Sequence, residues 1–131
     1  MLNLEPLAAQ SALLMVIDDP KKAENLITKA AAVLAEQGVY AFGLFLASRK
    51  DRESHQAQDI DRAIRQILTN AGLCNEAARI TMSEYYGVIG KKRANESEID
   101  ALRRLLLTKQ LMETALNYGR YHAKARGGHN G

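Results

Sequence analysis

The sequence predicts an all-α fold: a single-domain helical bundle of about five to six helices with a long C-terminal helix. Ala and the aliphatic residues dominate, with only 2 Pro, 2 Phe, 5 Tyr and no Trp, a composition that suits helices better than a sandwich or barrel. Apolar residues recur at helical spacing in several separate segments. Helix-capping and helix-stopping residues bracket those segments. At 131 residues the chain can bury one core without disulfides or metals, but it is too short for two ordinary domains. Residues 1–126 are expected to form that unit and 127–131 a flexible tail.

Residues 6–17 are apolar with sparse polar positions and read as a short helix or docking segment. Asp18 or Asp19 can accept hydrogen bonds from the free N–H groups of a following helix, and Pro20 suits its first turn. In that second helix Leu26, Ala30, Val33 and Leu34 share a face, and Gly38 stops it. Residues 39–48 (VYAFGLFLAS) are apolar on nearly every side; a helix here must lie in the middle of the domain. A buried strand is the alternative, but alternation is poor and no second strand-like run exists to pair with it.

Residues 49–58 (RKDRESHQAQ) hold almost no apolar side chain and read as an exposed loop or frayed helix end. Residues 59–70 place Ile60, Ala63, Ile64 and Ile67 on one helical face, with Gly72 just beyond. Asn75 is expected to cap a helix over residues 76–86, followed by a basic connection containing Gly87, Gly90, Lys91, Lys92 and Arg93. Ser97 with Asp100 three positions later resembles a capping box and opens the last helix, which Gly127 and Gly128 end. Its expected apolar stripe is Leu102, Leu105, Leu106, Met112, Ala115, Leu116 and Ala123.

Cys74 is the sole cysteine, so no intramolecular disulfide can form, and a cytoplasmic location is expected. Residues 12–17 are too short to span a bilayer, and no membrane partner is expected. The histidines, His55, His122 and His129, are scattered together with Cys74, which argues against a zinc site. No glycine-bounded nucleophile elbow is present, the glycines around Gly87 have the wrong spacing for a phosphate loop, and Asp18, Asp19, Asp59 and Asp61 sit where helix caps explain them. No catalytic residue, metal or cofactor is expected.

Charge offers a different lead. Residues 1–100 carry 12 Lys/Arg against 14 Asp/Glu, whereas residues 101–131 carry 6 against 1. Such asymmetry points to a polyanionic partner near the last helix. Three basic clusters are candidates for phosphate contact: Arg49, Lys50 and Arg52; Lys91, Lys92 and Arg93; and Arg120, Lys124 and Arg126. Tyr118 or Tyr121 can stack on a base or sugar. Each cluster also has an ordinary reading, because surface cations serve solubility and cations near a helix C-terminus are favoured by the dipole.

Two stretches, GVYAFGLFLASRK at residues 38–50 and LLLTKQLMETALNYGRYHAKAR at residues 105–126, together resemble the helical small subunit of RNA-guided CRISPR effector complexes, especially type III. In that family a glycine-led apolar helix ends in small and basic residues, and a long closing helix carries Thr and then an aromatic-basic-aromatic segment, matched here by Tyr118, Arg120 and Tyr121. Where the family often has a tryptophan this chain offers Asn117-Tyr118. The resemblance implies a non-catalytic subunit that self-associates in several copies beside other effector-complex subunits and lines the channel holding guide RNA and target RNA or DNA. A basic helical surface can follow such a duplex through its phosphates while base pairing reads the sequence. The alternative is a helical protein–protein adaptor or oligomerisation module that binds no nucleic acid. A helix-turn-helix regulator fits less well, because no tight helix pair precedes a compact basic recognition helix.

Overall fold

The computed structural model describes residues 5–74 and 80–127, and among them every regular element is helical. Six helices follow one another: α1 (Glu5–Met15), α2 (Pro20–Gln37), α3 (Val39–Ala47), α4 (Arg52–Asn70), α5 (Met82–Ile89) and α6 (Glu98–Gly127). No helix among the described residues is long and apolar enough to cross a membrane.

Local chemistry sets most of the boundaries. The Asp19 carboxylate accepts from the backbone N–H groups of Lys21 and Lys22 at 3.0 and 3.2 Å, and Pro20 occupies the first turn of α2. Gly38, at φ +96°, donates its N–H to the Leu34 carbonyl and also precedes α3, so a single left-handed residue makes the corner. Ser97 Oγ accepts from the Asp100 N–H at 3.1 Å at the start of α6.

α6 packs along α1 and α2, and α1 also lies against α4. α3 joins α2 to α5, as its apolar sequence requires. The core runs through Ile27, Leu34, Phe42, Ile60, Ile64, Leu68, Tyr86, Leu111 and Leu116, all removed from solvent. Each such side chain contributes about 1.5–3 kcal/mol of burial.

Cross-helix contacts define two ends. At one, Arg126 Nη1 donates to the Val16 carbonyl and His55 meets Asp18, which gathers the α1–α2 corner, the start of α4 and the end of α6. At the other, Arg93 donates to the Leu73 carbonyl and Arg104 to the Ile89 and Lys91 carbonyls, which gathers the end of α4, the α5–α6 connection and the start of α6. α6, 30 residues and about 45 Å long at 1.5 Å per residue, runs between these ends.

Several expectations need correction. The polar run is not a loop along its length, since Arg52 to Gln58 form the first turns of α4. Their pairing is largely polar and crosses between elements: Glu53 with Lys29 at 3.5 Å, and His55 with Asp18 at 2.6 Å. α5 begins at Met82 and runs through Gly87; Thr81 caps it, accepting from the Glu84 N–H and donating to the Glu84 carboxylate. The expected cap at Asn75 and helix start at Glu76 lie outside the described residues. On α6, Leu102 and Leu106 are exposed, and the packed face of that half carries Ala101, Arg104 and Thr108. Gly127 belongs to α6, while 128–131 lie outside the described residues.

Candidate nucleic-acid interface

Two of the three basic clusters lie toward the same end of the bundle and the third does not. Arg49, Lys50 and Arg52 occupy the α3–α4 corner, and Lys124 and Arg126 the last turns of α6, both at the end that holds the α1–α2 corner. Lys91, Lys92 and Arg93 sit at the opposite end, beside the start of α6.

The side chains differ in what they are free to do. Arg49 is half-buried: it donates to the Phe45 carbonyl at 3.1 Å and to Ser48 Oγ at 3.0 Å, stacks 4.2 Å over the Phe45 ring and approaches Glu53 at 3.5 Å. Its guanidinium closes the end of α3. Arg93 is committed to the Leu73 carbonyl at 2.8 Å, and Arg126 to Val16. Arg120 is half-buried, with its Nε enclosed and unpartnered. Lys50, Arg52, Lys91, Lys92 and Lys124 are exposed cations. Tyr121 projects into solvent, whereas Tyr118 packs partly against the core.

α2 contributes cations that lie outside the three clusters named from the sequence. A cleft of about 200 Å³ between α2 and α4 is lined by Lys22, Asn25, Lys29, Arg52, Glu53 and Gln56. Three cations face one carboxylate there, and the Gln56 side-chain oxygen is buried without a partner. Lys21 and Lys22 stand in the first turn of α2, close to Pro20, which approaches Gly127 at the end of α6. The helical spacing of Lys22 and Lys29 was legible in sequence; their juxtaposition with Arg52 depends on how α4 crosses α2.

The larger groove, of about 670 Å³, runs along α4 beside residues 80–85. Its central charges, Asp61 and Arg65, are paired with each other and with neighbours: the Tyr86 hydroxyl donates to Asp61 at 2.9 Å, Arg65 donates to the same carboxylate oxygen at 2.9 Å and to the Ile80 carbonyl at 2.9 Å, and its guanidinium lies 4.5 Å over Tyr85, whose hydroxyl is buried without a partner. Burial and the adjacent Asp61 carboxylate push the Tyr86 hydroxyl well above its ordinary range, so it remains a donor. This network fastens α5 to α4.

At the far end, the buried Arg104 guanidinium grips both oxygens of Glu96, at 2.9 and 3.0 Å, besides the two loop carbonyls. Hydrogen bonds from Arg104 and from the Arg93 backbone lower the Glu96 carboxyl from 4.5 to about 2. These bonds tie the connection bearing Lys91 and Lys92 to α6. Among the described residues, one group of side chains can hold a metal ion: Asp18, His55 and Asp59. Comparison of the chain with known protein families, curated proteins and solved structures finds no match.

Proposed function

We propose that this chain is a non-catalytic small subunit of a CRISPR ribonucleoprotein effector complex in the cytoplasm. In this reading it stacks in several copies and contacts guide RNA or target nucleic acid through its basic helical surface. The observation that carries the reading is the exposed cations Lys22 and Arg52, from α2 and α4, lining one cleft toward the end of the bundle where the last turns of α6 carry the exposed Lys124. Cations gathered on rigid helices can meet consecutive phosphates with little ordering cost and without reading bases. The resemblance of residues 38–50 and 105–126 to the type III small subunit supplies the assembly.

The test has two parts. Purification of the tagged protein from its native host in mild salt should bring down small repeat-derived RNAs with a filament-forming subunit. In vitro, Arg52→Glu with Lys124→Glu should weaken RNA binding and flatten the plot of log affinity against log salt by about 0.7–0.9 for each phosphate that is no longer neutralised. Unchanged affinity and slope, with protein partners free of RNA, would overturn the reading.

The adaptor reading also has an observation in its favour. Ile99, Leu102 and Leu106 lie on one face of α6 and are 65%, 57% and 60% exposed. Such a stripe fits a helix or groove on another protein, and that association would change little with salt.

A further inference from the structure

We infer that Asp18, His55 and Asp59 form a binding site for a first-row divalent metal ion, Zn²⁺ foremost. His55 and Asp59 are four apart on α4 and so share a face, and the α1–α2 corner carries Asp18 onto that face. The His55 Nε2 lies 2.6 Å from Asp18 Oδ2 and 3.9 Å from Asp59 Oδ2, and one donor atom from each residue falls within 4.8 Å of the others. Tetrahedral Zn²⁺ with bonds of about 2.0–2.2 Å spaces its donors roughly 3.3 Å apart, so small side-chain adjustments suffice.

Asp59 is the fixed point of the site. Its side chain is only 4% exposed, and Arg62 Nη1 holds Oδ1 at 3.3 Å, which leaves Oδ2 turned toward His55. A carboxylate oriented by an outer partner in this way is characteristic of built metal sites. His55 and Asp18 are open to solvent, giving an ion a path in, and three protein donors leave a coordination position for water. One imidazole and two carboxylates suit Zn²⁺ or a neighbouring first-row ion better than Ca²⁺, which takes oxygen ligands alone. Bound metal would tie the α1–α2 corner to α4. The inference does not rest on the nucleic-acid reading.

Chelator-stripped full-length protein, with His122→Ala and His129→Ala to remove the other imidazoles, is titrated with ZnCl₂ by calorimetry near neutral pH. One equivalent should bind saturably and raise the melting temperature. His55→Ala, and separately Asp18→Asn at the exposed corner, should weaken binding by about 100-fold or more, since loss of an outer-shell partner alone costs 10–100-fold. Circular dichroism of each variant checks that it is folded. Absence of saturable uptake, or uptake that survives both substitutions, would overturn the site. If His55→Ala lowers the metal-free melting temperature while Zn²⁺ shifts neither protein, the trio is an ion pair only and the inference fails.

Discussion

Glycine acts in opposite ways at two positions of the α3–α5 contact. A Cβ placed on Gly43 would lie 2.6 Å from Tyr86 Cβ and 2.8 Å from Tyr86 Cγ, atoms close to the backbone that cannot swing aside. Tyr86 is further fixed by its hydrogen bond to Asp61 and by edge-on packing against Phe42 and Tyr85, with ring centres 5.3 and 5.0 Å away. Gly43→Ala is therefore expected to destabilise by about 1–3 kcal/mol through overpacking, despite the better helix propensity of alanine. Gly87, inside α5, meets nothing nearer than Tyr40 Cε1 at 3.5 Å, an ordinary contact. Gly87→Ala should stabilise by up to about 1 kcal/mol from propensity alone. Urea midpoints for the two variants should move in opposite directions, and movement in the same direction would contradict the contact geometry.

At the scale of elements, boundaries marked by short-range chemistry were legible in sequence. Asp19-Pro20, Gly38 and Ser97 each act within four residues, and α2, α3 and α6 start or stop where those residues put them. The start of α4 was not legible, because its first turns are paired with Lys29 and Asp18 from other elements. Thr81 and Glu84, three apart, form a local capping pair readable in sequence, while Asn75 is an equally good capping residue type a few positions upstream. The register of the first half of α6 was hidden for another reason: Arg104 occupies a buried position because the carbonyls of Ile89 and Lys91 and the Glu96 carboxylate satisfy it, and leucines face outward instead. This clasp has a pH signature. The Glu96 carboxyl is lowered on folding, so its stabilisation is full above about 4.5 and disappears as the pH falls toward 2. Glu96→Gln should be less stable than the parent at neutral pH, and the gap should close across that acid window when unfolding is followed by circular dichroism. A gap independent of pH would assign the loss to packing.

Over the whole molecule, charge distribution makes the two ends unequal. The all-helical class followed from composition and periodicity, and the three basic clusters could be named residue by residue, but no local pattern says which clusters meet. That depends on α1 reversing into α2 and on α6 spanning the full bundle. The outcome is a main basic end, with Lys22, Lys29, Arg52 and Lys124, and a second group at Lys91 and Lys92 beside Arg104, about 30 Å away along α6 counted from Arg104 to Lys124 at 1.5 Å per residue. A duplex of about 6 base pairs covers only ~20 Å at 3.4 Å per pair and can engage one end, whereas ~20 base pairs cover about 68 Å and can reach both. Lys91→Glu with Lys92→Glu should therefore leave affinity for the short duplex unchanged while lowering affinity and salt slope for the long one. Arg52→Glu with Lys124→Glu should weaken both. Fluorescence anisotropy across a salt series separates these cases: equal loss on both lengths from the Lys91–Lys92 pair would make that loop the primary contact, and no loss on either would confine nucleic-acid contact to the α1–α2 end.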